Sequence, residues 1–215
     1  MQNGIRIIHK TVPSKVAHCG LFIDAGSRDE RNDEQGMAHF IEHVLFKGTK
    51  RRKAYHILSR LENVGGELNA YTTKEETCIY ASFLSNYYNR VFELFADVSL
   101  NSVFPDREMA KEKEVIIDEI NSYQDNPSEL IFDEFEEMIY DKHALGRSIL
   151  GEPAVIRQFS RKNLLRFMKR NYHPEGMVVS SVGNISFREV IDLTERYFGH
   201  LPATKKHRIR DPFNG

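Results

Sequence analysis

Two hydrophobic periods divide this chain, and each change of period marks a new element. Period-two alternation over Cys78-Ile79-Tyr80-Ala81-Ser82-Phe83-Leu84 predicts a strand. Further strands are expected near 4–10, 16–25, 67–73 and 177–183, with that at 77–84 completing the set. The Gly65-Gly66 pair marks the turn before the strand at 67–73, and the charged run Lys74-Glu75-Glu76 marks the turn after it. Helical period appears at Met37, Phe40, Ile41, Val44 and Leu45, which fall at i, i+3, i+4, i+7 and i+8. That stripe predicts a helix over about 33–47, with Asn32 or Asp33 as its cap and Gly48 as its stop. Other helices are expected near 53–64, 86–101, 106–123, 127–140, 160–171 and 186–198. Strands in pairs and helices in runs predict an α+β fold, a largely antiparallel sheet covered by helices. No internal repeat is evident. Residues 203–215 are polar and aperiodic, so 1–202 reads as one domain and 203–215 as a tail or linker to a C-terminal domain not contained here.

Composition narrows the picture only a little. A chain of 215 residues can bury a substantial core. A net charge of −1 with 28% charged residues gives no electrostatic reason to propose a nucleic-acid partner. The basic run 49–53 (TKRRK) reads as a solvated turn. Cys19 and Cys78 sit in apolar, strand-like stretches and read as small core residues, so a reducing compartment is permitted. No apolar run approaches the ~18 residues of a membrane span. The opening MQNGIRIIHK lacks the apolar segment of a signal peptide, and a cytoplasmic location is the expectation.

The candidate chemistry lies on the first helix, in His39-Phe40-Ile41-Glu42-His43. Histidines four apart project from one face of a helix, so two imidazoles can converge on one cation. Glu42 stands beside them without being an obvious ligand. Two neutral imidazoles, a poised carboxylate and an open coordination position are what a hydrolytic zinc needs. The order His-x-x-Glu-His is that of the inverted zincins. Paired histidines at this spacing are also common as plain core or surface residues, so a third ligand decides the matter. Glutamate is the usual one beside two histidines. The helix expected at 106–123 offers Glu108, Glu112, Glu114 and Glu119, and spacing alone does not choose among them.

HFIEH followed by a glutamate 76 positions after its last histidine (119 − 43) resembles the pitrilysin/insulinase family of zinc metallopeptidases, which includes the mitochondrial processing peptidases. The resemblance extends through 3–10 (NGIRIIHK), 24–30 (DAGSRDE), 36–49 (GMAHFIEHVLFKGT) and 61–84 (LENVGGELNAYTTKEETCIYASFL). It continues in 112–120 (EKEVIIDEI), 145–156 (LGRSILGEPAVI), 172–186 (YHPEGMVVSSVGNIS) and 195–202 (ERYFGHLP). The resemblance implies zinc ligands His39, His43 and Glu119, general base Glu42, and Glu112 as a glutamate supporting the site from behind a ligand. It also implies that Asn69, Ala70, Tyr71 and Thr72 belong to an edge strand that an extended peptide pairs with. An ordinary sheet strand fits their composition equally well. The implied function is a zinc metalloendopeptidase acting on peptides or unfolded segments. The resemblance further implies a partner, a second domain of the same fold that closes a chamber and contributes an Arg and a Tyr to substrate binding. A non-catalytic homologue serving as a subunit of a larger complex is the alternative, which the unbroken motif disfavours.

Overall fold

The computed structural model describes residues 1–204 and 210–213. Five strands form one sheet: β1 (Arg6–Thr11), β2 (Val16–Ile23), β3 (Glu67–Thr72), β4 (Thr77–Leu84) and β5 (Met177–Gly183). Their order across the sheet is β1-β5-β2-β4-β3. All neighbours run antiparallel except β1 and β5, which pair in parallel with Arg6 opposite Val178 and Thr11 opposite Gly183.

The alternation read from the sequence decides which face is buried. Ala17, Cys19, Leu21 and Ile23 of β2 turn inward with Ile79, Ala81 and Phe83 of β4. Ile8, Tyr80 and Val182 stay exposed on the other face. The helices are α1 (Met37–Leu45), α2 (Ala54–Glu62), α3 (Tyr88–Asn101), α4 (Asp106–Gln124), α5 (Pro127–Ile139), α6 (Pro153–Ile156), α7 (Arg161–Asn171) and α8 (Phe187–Phe198). Phe40 of α1 is fully buried, with its ring edge-on to Phe159 at 5.5 Å. Truncating such a side chain costs about 3–5 kcal/mol. Cys19 and Cys78 are both buried free thiols, as read. Among the described residues no helix is long and apolar enough to cross a membrane.

The structure corrects the sequence reading in several places. α1 is shorter than expected and starts at Met37, because a separate 3-10 turn takes Asn32–Glu34. Neither Asn32 nor Asp33 caps it. The buried Glu30 carboxylate does, accepting from the backbone N–H of Gly36 (2.9 Å) and of Ala38 (2.8 Å). Gly36 stands at the helix start with φ +88°, and a Cβ there would meet Leu150 O at 2.7 Å. Only glycine fits that turn and that approach. Phe46, rather than Gly48, ends the helix. The four-residue α6 was not foreseen, being too short to show a period. The run 49–53, read as a solvated turn, is anchored instead, and so is the charged turn at 74–76. Arg52 pairs with Glu93 (2.8 Å) and Asp97 (2.6 Å), and Lys74 Nζ donates to Leu145 O (2.7 Å) and reaches Glu136.

Of the tail expected over 203–215, residues 205–209 and 214–215 lie outside the described residues. Residues 210–213 are strapped to the domain. Arg210 pairs with Asp24 and Asp29 at 2.9 Å and with Glu75 at 3.2 Å, and the Phe213 ring lies 4.8 Å from Tyr140.

Candidate metal centre

α1 packs against α4, and this contact brings residues 76 positions apart in sequence into one cluster (119 − 43). Glu119 Oε2 lies 3.5 Å from His43 Nε2 and 3.8 Å from His39 Nε2. The two imidazole rings stand nearly perpendicular, with centroids 4.6 Å apart. One donor atom from each of the three residues falls within 4.8 Å of the others, and among the described residues no other such trio is found. Bonds of ~2.0–2.2 Å in a tetrahedron set neighbouring donors about 3.4 Å apart, and the two glutamate–histidine spacings lie within a few tenths of an ångström of that. Burial, reinforced by the nearby His43, pushes His39 down to about 4, which keeps its imidazole neutral and its lone pair available. Donor set, spacing and protonation fit a zinc ion.

The three donors differ in exposure. His39 is buried, His43 is half-buried, and the Glu119 side chain is 42% exposed. The cluster therefore opens to solvent on the α4 side. Glu42, between the histidines in sequence, is half-buried. Burial raises its carboxyl above the ordinary range; Thr72 and His43 pull the other way, and the Glu119 charge adds to the rise.

Glu112 sits two turns before Glu119 on α4 and is buried. Its Oε2 accepts from His43 Nδ1 at 3.3 Å, while its Oε1 pairs with Lys47 Nζ at 2.8 Å. Fixing Nδ1–H in this way turns the His43 Nε2 lone pair toward the cluster. Among the described residues His39 has no equivalent, since its Nδ1 is buried without a hydrogen-bond partner. Lys47 was missed by the sequence reading. The available signal was its position four residues after His43, one turn further along the same face.

The four residues read as a substrate strand lie on β3, which among the described residues pairs only with β4 and leaves its other edge free. β3 also packs against α1. Asn69 and Tyr71 are exposed, Ala70 is buried and Thr72 is half-buried. The Ala70 N–H donates to Asn69 Oδ1 at 2.9 Å, so that amide is free for an incoming strand only when the Asn69 side chain turns away. Tyr71 OH donates to Glu76 at 3.1 Å and its ring tilts toward Tyr80 at 6.0 Å.

A family model described as Insulinase (Peptidase family M16) matches residues 6–153, and one described as Peptidase M16 inactive domain matches 158–215. The chain is 36% identical over 206 residues to the uncharacterized zinc protease YmxG of Bacillus subtilis, covering 95% of this chain and 50% of that protein. It is also 36% identical over 209 residues to the human mitochondrial-processing peptidase subunit beta, covering 97% of this chain and 43% of that subunit. The chain thus spans about half the length of the curated relatives it matches. Among solved structures, a protease from Helicobacter pylori superposes with a TM-score of 0.90 at 25% identity, covering 99% of this chain and 52% of that one. A peptidase M16 inactive domain from Pseudomonas fluorescens shares the fold, with a TM-score of 0.89 at 19% identity over 97% of this chain and 51% of that one.

Proposed function

Because this chain belongs to the insulinase family of peptidases, family M16, we propose that it is the metal-bearing half of a zinc metalloendopeptidase acting on extended peptides. One observation carries the reading. Glu119 Oε2 stands 3.5 and 3.8 Å from the two histidine nitrogens, with Glu42 beside them on α1. In this reading His39, His43 and Glu119 hold the ion. When bound, zinc supplies Lewis acidity that lowers the pKa of a water toward ~7 and polarises a carbonyl. Glu42 takes the proton of the attacking water and passes it to the leaving amine, and its raised proton affinity suits both transfers. The chain forms no covalent intermediate. The free edge of β3 holds an extended substrate through backbone pairing, with Asn69, Ala70, Tyr71 and Thr72 presenting that edge.

The half-length match to the relatives supports a second domain of the same fold, from the same polypeptide or from a partner subunit. Its contribution is to exclude water and supply donors beyond the metal, which strengthens every electrostatic interaction at the site.

The test is zinc quantification alongside cleavage of an unstructured peptide at high protein concentration. Glu42→Gln keeps the metal and loses hydrolysis, because it deletes the base and no ligand. His39→Ala, His43→Ala and Glu119→Ala each lose most of the metal. Full zinc retention in Glu119→Ala would show that another α4 glutamate is the ligand, Glu112 being the first to test.

A further inference from the structure

Two buried hydroxyls converge on the neighbourhood of Glu42. Among the described residues, Thr72 Oγ1 and Tyr172 OH are shut off from solvent and make no aligned hydrogen bond. Burying a hydroxyl in that state costs free energy that valine or phenylalanine in the same places would not incur. Packing alone gives neither hydroxyl a purpose; what each of them faces does.

The fold delivers them from two elements that both pack against α1. On β3 the alternation puts Leu68, Ala70 and Thr72 on one face, and β3 lies against α1. Leu68 and Ala70 are buried, and Thr72 is the one polar side chain of that row, within reach of the Glu42 carboxylate. Tyr172 follows α7, which also contacts α1. Its ring packs on the core, and its hydroxyl lies near Thr77, whose own proton is committed to Ala25 O at 2.8 Å. Burial, opposed by Thr77 and reinforced by the Glu42 charge, pushes the phenol up, so it stays protonated and remains a donor.

We propose that Thr72 and Tyr172 are positioning residues for Glu42: their hydroxyls hold one oxygen of its carboxylate and leave the other to take the proton of the attacking water. The proposal rests on reading Glu42 as the base of a peptidase. The terminal torsion of a glutamate is broad, and two donors on one oxygen narrow it. Misplacing a reacting group by a small distance can cost about a hundredfold in rate.

Thr72→Val and Tyr172→Phe in the 215-residue chain remove the hydroxyls and keep the shapes. With zinc loaded and quantified, each is expected to lower kcat by roughly tenfold to a hundredfold, with KM and metal content close to wild type. Thr72→Ser restores a hydroxyl and should recover most of kcat. A merely damaged strand would raise KM instead, and serine would not repair it. The stability of the metal-free chain gives a readout independent of turnover, through a double-mutant cycle with Glu42→Ala. Thr72→Val should lower the urea midpoint when Glu42 is present, and leave it unchanged or raise it in the Glu42→Ala background. An unchanged kcat in either hydroxyl variant, or an equal effect of Thr72→Val in the two backgrounds, would overturn the proposal. A wild type that binds no zinc and cleaves nothing, with the coupling to Glu42 intact, would sink the peptidase reading and leave the hydroxyl contact standing.

Discussion

Glu112 Oε2 accepts from His43 Nδ1 at 3.3 Å, while the other oxygen of the same carboxylate pairs with Lys47 at 2.8 Å. One buried side chain thus ties the last turn of α1 to α4 and fixes which nitrogen of His43 faces the cluster. Partners of this kind are worth roughly 10–100-fold in metal affinity. Glu112→Ala is expected to weaken zinc binding by that order in a competition titration with a chromophoric chelator. Lys47→Met is expected to weaken it less. Equal affinity in wild type and Glu112→Ala would remove the positioning role.

Glu30 holds the start of α1 through two backbone N–H groups, and His39 lies in the first turns of that helix. Glu30→Ala leaves both donors buried and unpaired. Loss of a helix cap costs about 0.5–2 kcal/mol, and the burial of this one places it at the upper end. Urea denaturation should show a lowered midpoint with an unchanged m-value, and the variant should bind zinc more weakly. A midpoint equal to wild type would show that another group has taken over the cap.

A different pair contributes to the acid sensitivity of the fold. Glu34 is buried and bonded to Arg170. Burial alone would raise its carboxyl, but the Arg170 hydrogen bond, the Arg31 backbone N–H and the two arginine charges outweigh it and hold it below the ordinary range. A group depressed in the folded state contributes stability above its unfolded pKa and loses it as pH falls through the folded value. Glu34→Gln is therefore expected to cost about 1–3 kcal/mol at neutral pH. The difference from wild type should close below the ordinary carboxylate range. Thermal denaturation of both proteins from neutral to acid pH reads it, and a gap that widens in acid would contradict the assignment.

The candidate metal cluster draws only on residues between 39 and 119, so all three of its donors lie within this chain. Its open side toward Glu119 leaves the site wet. The isolated chain is expected to bind zinc and turn over peptide only slowly. Robust cleavage by a monodisperse monomer would refute the need for a second domain.

How much of this was legible in the sequence varies with range. The stripe Met37, Phe40, Ile41, Val44, Leu45 placed α1, and with it the shared face of His39 and His43, because both depend only on helical period. Glu119 was legible only through resemblance, since its role depends on α4 packing across α1. The Glu30 cap was invisible, because its bonds reach six and eight residues ahead past an intervening 3-10 turn. Arg52 looked solvated because its partner Glu93 lies far along the chain, and the anchoring of Lys74 on Leu145 was hidden for the same reason. Local composition carries no signal for such contacts.

The parallel pairing of β1 with β5 has a consequence for synthesis of the chain. β5 inserts between β1 and β2, so Arg6 waits for Val178 before the sheet can close. Contacts of such long sequence separation form late and slow folding. During translation both histidines and Glu119 emerge while β2 still shows an unpaired edge, the kind of surface that invites wrong strand pairing. A polypeptide cut before Met177 would keep every candidate zinc ligand, leave β1 with no strand beside it, and expose the middle of the sheet to its neighbours in the cell.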